Sequence, residues 1–162
     1  MLKLNLPQNV LNKEQYSSLS SLQKGEYIHN LLKEILEINP GGITISQVDN
    51  ITHLGRSTVW HHLEILAARA DCLKVERGDT DVYHSNKVLA SLKELDIQGN
   101  YYYYAFHVVE NTYGKFVRIQ TKQENRSGSL ATHSGVIITH HLMSEILNSL
   151  AKIKEHHLNE NQ

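Results

Sequence analysis

Cysteine is nearly absent from this chain of 162 residues. Only Cys72 is present, so neither an intrachain disulfide nor an all-cysteine metal site can form. No apolar run approaches the roughly 18 residues of a membrane span. Met1–Pro7 lacks the roughly 7–15-residue apolar core of a secretory signal. These absences predict a cytoplasmic protein of a reducing compartment with no membrane partner. A surplus of one charge is also missing, since 16 Lys and Arg face 17 Asp and Glu for a net of −1. Nucleic-acid binders usually carry a basic balance, so binding by bulk charge is excluded and any such contact must come from local patches. No phosphate loop, zinc-protease helix or nucleophile elbow occurs, so neither an enzyme nor a cofactor is expected.

The hydrophobic share is 40% and the charged share 20%, enough for a packed core in one ordinary domain or two small ones. Residues 1–24 read as a polar arm with a short helix near Lys13–Leu22. From Glu26 onward Ile28, Leu31, Leu32, Ile35 and Leu36 fall on one helical face, and Asn39-Pro40-Gly41-Gly42 ends that helix. Ser46 reads as the N-cap of a short helix running to about Ile51. His53-Leu54-Gly55 makes a turn, and the next helix carries Val59, Leu63, Leu66 and Ala70 on one face. Leu73–Arg77 and Val82–His84 alternate around Gly78–Asp81 as a β-hairpin. Val88, Leu89, Leu92 and Leu95 predict a helix from Lys87 to about Asp96, and Gln98–Asn100 reads as a boundary. The units are therefore 1–24, 25–97 and 100–156. The predicted class is α+β, with a helix-hairpin unit followed by a small antiparallel sheet and a C-terminal helix.

Within residues 43–66, Leu54, Ser57, Thr58, Val59, His62, Leu63 and Leu66 occupy the places of the turn and recognition helix in winged helix-turn-helix regulators of the ArsR and MarR kind. The segment resembles those families, with Gly55 where serine is commoner. The resemblance implies a transcriptional regulator that reads double-stranded DNA with a recognition helix (about 56–70) and a hairpin wing (about 73–84). The periodicity leads to the same surface. With Val59, Leu63 and Leu66 turned inward, a 100° step sends Ser57, His61 and Glu64 outward, with Thr58 and Trp60 at the flanks. Arg56 lies at the helix start. Arg56 and His61 are candidate base contacts, Ser57 and Thr58 candidates for phosphate or base edges, and Trp60 flanks them. Lys74 and Arg77 are the wing cations. The same residues have structural readings. Ser57 suits an N-cap, Trp60 a packed edge, His62 the inward side, and Arg77 a turn pair with Asp79 and Asp81. Residues 26–96 carry seven Lys and Arg against eleven Asp and Glu, a net of −4. That balance weakens phosphate attraction and keeps open a protein–protein adaptor of the transcription machinery.

The second unit reads as strands over Tyr101–Val109, Lys115–Lys122 and Val136–Ile138, then a helix capped by Thr139 with Leu142, Ile146, Leu150 and Ile153 on one face. Val117-Arg-Ile, Ser134-Gly-Val-Ile-Ile-Thr139 and Leu142–Leu150 resemble the positive-cofactor-four family of coactivators. Ser134 stands where that family has a basic residue, and the tryptophan common in its helix is missing. The resemblance implies a four-stranded sheet and one helix that dimerise and bind single-stranded DNA. Lys115, Arg118, Lys122 and Arg126 beside an aromatic sheet face are what such a platform needs, although Tyr101–Tyr104 and Phe106 also suit ordinary strand and core positions. The apolar stripe of the last helix exceeds what one small sheet covers, which predicts a homodimer. The chain has 11 His. His53, His61 and His62 with Cys72 offer zinc- or copper-type donors, but their spacing matches no strong metal motif, so no metal is expected.

Overall fold

The computed structural model describes residues 4–52, 54–91, 95–97, 102–125 and 128–158. The protein is a mixed α+β chain with two antiparallel sheets. A short helix α1 (Lys13–Ser18) leads into α2 (Ser21–Ile38). The second helix starts five residues before Glu26. The reason is a capping box, in which Ser20 Oγ accepts from the Gln23 N–H and Gln23 Oε1 accepts from the Ser20 N–H. The helix stops at Asn39, whose amide donates to the Ile35 carbonyl (2.7 Å) and to the Asn5 carbonyl (2.9 Å), tying the N-terminal arm to the helix end. Gly42 follows with φ +89°, where a Cβ would run into His84.

Helix α3 (Ile45–Ile51) is capped by Thr44, with Gln47 closing the box. Ser46, expected as the cap, lies inside the helix. Helix α4 (Arg56–Ala68) has Gly55 at its N-cap and no side-chain cap. Ser57 is therefore not a cap, and the helix ends before Ala70, which turns to φ +56°. The hairpin is β1 (Cys72–Arg77) with β2 (Thr80–Ser85), in register from Cys72 opposite Ser85 to Arg77 opposite Thr80. Ile43 adds a bridge to Tyr83 through two backbone hydrogen bonds. The core of this unit holds Ile28, Leu32, Ile35, Val48, Val59, Leu63, Leu66 and Tyr83. Full burial of an aliphatic side chain contributes about 1.5–3 kcal/mol, so the stripes of α2 and α4 dominate its stability.

Residues 87–96 correct an expectation. In place of the expected helix, Lys87–Ser91 form β3 and Leu95–Ile97 form β4, and both pair with β5 (Tyr102–Asn111), while residues 92–94 lie outside the described residues. The Val88 and Leu89 side chains stay exposed, and backbone pairing along β5 overrides the local periodicity. The second sheet runs β3-β5-β6-β7, with β6 at Gly114–Glu124 and β7 at Leu130–Thr139. Sheet pairing thus begins at residue 87, before the expected boundary at 98–100. Thr139 precedes a 3₁₀ turn (His140–Leu142) without a side-chain cap bond, and α5 (Met143–Ile153) follows.

Candidate nucleic-acid interface

Helix α4 has one stripe locked in the core and the other facing solvent. Val59, Leu63 and Leu66 are buried, while Arg56, Ser57, Trp60 and His61 are exposed and Thr58 is half-buried. Trp60, the chain's single tryptophan, is 51% exposed. It lines a shallow recess with Ile45, Arg56 and Ser57, so it is an edge residue but not a packed one. Arg56 Nη1 donates to Ser46 Oγ at 2.7 Å, which directs the guanidinium along α3 at the entry of α4. With no side chain capping the helix, its first-turn N–H groups carry the positive end of the peptide dipoles. The His61 and His62 rings meet edge to face at 5.5 Å, and burial first, then the neighbouring His61, lowers the pKa of His62.

Glu64, expected outward, turns instead to the hairpin. Its Oε1 accepts from Tyr83 OH (2.6 Å) and from Lys74 Nζ (2.8 Å), and Lys74 also meets Asp81 at 3.1 Å. Burial alone would raise the Glu64 pKa, but the hydrogen bonds from Lys74 and Tyr83 bring it below the ordinary carboxylate value. Those bonds to Glu64 and Asp81 raise the pKa of Lys74. Lys74 is thus committed to two carboxylates within the fold. Arg77 is exposed and does not pair with Asp79 or Asp81 among the described residues. Its Nη2 donates to Tyr113 OH at 3.0 Å, linking the hairpin to the β5–β6 turn.

The four cations expected on the second sheet do not share a face. Strand alternation puts Lys115 on the face opposite Arg118 and Lys122, and Arg126 lies outside the described residues. Arg118 is no surface cation. It is 6% exposed and its Nη1 reaches Asp71 Oδ1 at 3.2 Å and the Ala70 carbonyl at 3.4 Å. Burial lowers its pKa, and Asp71 opposes that. Tyr102 and Tyr104 are exposed on the Lys115 side of the sheet, whereas Ala105 is buried on the other.

What holds the two units together is a set of contacts between residues far apart in the chain, with no local signature. Gln120 Nε2 donates to the Arg69 carbonyl and to Asp71 Oδ1, Asn86 Nδ2 donates to the Ala70 carbonyl, and Lys33 closes on Asp71 Oδ2 at 3.2 Å. The Arg69 and Ala70 carbonyls just past the end of α4 are thereby satisfied, and Gln120 of β6 fastens that end to the second sheet. A Cβ on Gly135 would overlap the Arg69 carbonyl, so glycine is required there by close approach. Among the described residues no three His, Cys, Asp or Glu come together as a metal-ligand set, and His53 is outside them. Burial first, then Asp71 and Glu64, pushes the Cys72 thiol up to about 12, opposite to what a thiolate ligand needs. Among the described residues no helix is long and apolar enough to cross a membrane. Comparison with known protein families, with curated proteins and with solved structures finds no match for this chain.

Proposed function

We propose that the protein is a DNA-binding transcriptional regulator. In this reading α2–α4 with the β1–β2 hairpin form a winged helix-turn-helix, α4 enters the major groove of duplex DNA leading end first, and the hairpin is the wing. The observation that carries the reading is the division of α4. Its inner stripe and its C-terminal end are anchored, while Arg56, Ser57, Trp60 and His61 stand together in solvent at the end that a recognition helix presents to base edges. Arg56 is the base-reading candidate, and Arg77 is the better wing cation, since Lys74 is held by Glu64 and Asp81.

The second unit is proposed to dimerise. Helix α5 leaves Leu147, Leu150 and Ile153 exposed, as are Leu142 in the turn before it and Val136 of β7. A second copy of the chain provides the matching surface, and a two-fold dimer suits paired half-sites.

The test is selection from random duplex and single-stranded pools by the full chain, followed by a salt titration. The expected result is salt-dependent retention of duplex, with Arg56→Ala weakening the selected site by about 1–3 kcal/mol. The adaptor reading is favoured by one observation, the neutralisation of Lys74 within a unit of net negative charge. Absence of salt-dependent retention on either pool would decide for it. Retention of single strands alone would move the site to the second sheet.

A further inference from the structure

A cleft of about 830 Å³ lies between α2 and the second sheet, in the range of small-molecule sites. Its charged lining balances overall, Lys33, Lys87 and Arg118 against Glu37, Asp71 and Glu110, and Leu36, Pro40 and Val88 supply apolar wall. Lys33, Asp71 and Arg118 form one ion-paired trio. Asp71 is the shared counter-ion of both cations, at 3.2 Å from each, so the trio carries a net positive charge. The guanidinium is only partly used. Among the described residues its hydrogen bonds all run from Nη1, and Nε is buried with no partner. A buried donor left unmade is costly, and the Nε–Nη2 edge is the planar pair of parallel donors that fits a carboxylate bidentately.

We propose that this cleft is a binding site for a small organic carboxylate with an apolar body, whose carboxylate takes the unused edge of Arg118. Lys87 and Glu110 also line the cleft, but they sit opposite each other on β3 and β5 and alternate to the face away from Arg118. They add no net charge. Glu37, exposed on α2 beside Leu36, disfavours a multiply charged anion such as phosphate. Val88 is 43% exposed, an apolar surface that a ligand body would cover. Because Nε is closed to solvent, engaging that edge draws the guanidinium toward the cleft and competes with Asp71. Asp71 follows directly on the anchored end of α4, so occupancy is coupled to the seating of that helix. The site is independent of whether α4 reads DNA.

The experiment is calorimetric titration of the full chain with hexanoate and with benzoate, using benzamide and inorganic phosphate as comparisons. Trp60 emission is followed in parallel as the reporter of α4. Saturable binding of a carboxylate is expected, with an emission change of the same midpoint and no binding of benzamide. Arg118→Gln should weaken it at least tenfold. Val88→Tyr, which narrows the cleft without touching the Asp71 cluster, should do the same if Arg118→Gln proves unstable. No saturation by either carboxylate through the millimolar range, equal binding by the Val88 variant, or tighter binding of phosphate would overturn the proposal. None of these outcomes bears on duplex binding, which is read by retention of DNA.

Discussion

His29 sits half-buried on the inner side of α2. Burial first, and then the Lys33 and Arg69 cations, lower its pKa from the ordinary 6.5 to about 4, with Asp71 opposing. His62 and His84 are shifted the same way, each mainly by burial. The folded state therefore holds these rings neutral at pH values where the unfolded chain has already taken up protons. Stability is unaffected above pH 6.5 and falls as the pH drops from 6.5 towards 4, because the unfolded state binds more protons throughout that window. The expected outcome is a Tm that declines over this range in the wild type and declines less in His29→Gln. Identical pH profiles for the two proteins would show that His29 contributes nothing to the slope. At the same scale, the exposure of Ser57 and His61 was legible, because a helical step of 100° turns them outward once the inner stripe is known. Trp60, read as a packed edge, is exposed, and Glu64, read as outward, turns to the hairpin. The partners of Lys74 and Arg118 were not legible. Asp71 and Arg118 are 47 positions apart in the chain, and neither spacing nor residue type signals that they meet.

Elements were legible where local chemistry and packing agree. The α2 stripe, the break at Asn39–Pro40, the β1–β2 hairpin and the β5–β6 turn at Asn111–Gly114 all follow from periodicity and turn residues. Residues 87–96 failed because Val88, Leu89, Leu92 and Leu95 repeat at a helical interval, while the long β5 offers an open backbone edge that only the tertiary structure supplies. The start of α3 failed more narrowly, since Thr44 and Ser46 are both good caps and only Thr44 has a glutamine three residues on. This difference makes a discriminating prediction. Thr44→Ala breaks the capping box and should lower stability by about 1 kcal/mol. Ser46→Ala removes only an exposed acceptor for Arg56 and should stay within about 0.5 kcal/mol of wild type. Denaturant midpoints measure both, and an equal loss in the two variants would remove the assignment of Thr44 as the cap.

At the scale of the whole molecule, the two units differ in how completely they are closed. The first has a continuous core in which Leu32, Ile35, Val59, Leu63 and Leu66 show no exposure. The second ends in α5, whose Leu147 and Leu150 are 57% and 56% exposed with none of the helix buried. An isolated helix of eleven residues is marginal in water, so α5 needs a surface to pack on, and a second copy of the chain meets that need in the proposed dimer. The double variant Leu147→Asp/Leu150→Asp places charge on that stripe and should convert the protein to a species of 18.5 kDa in sedimentation equilibrium, where the proposed dimer predicts twice that mass for the wild type. Circular dichroism of the same variant should show reduced helix content, because α5 loses its support. If the proposed duplex reading also holds, the monomeric variant retains contact with one half-site and loses the dependence on a second one spaced about 34 Å away, or a multiple of it. A wild type that sediments as a monomer would remove the dimer and with it the expectation of paired half-sites, while leaving recognition by α4 to be judged on a single site.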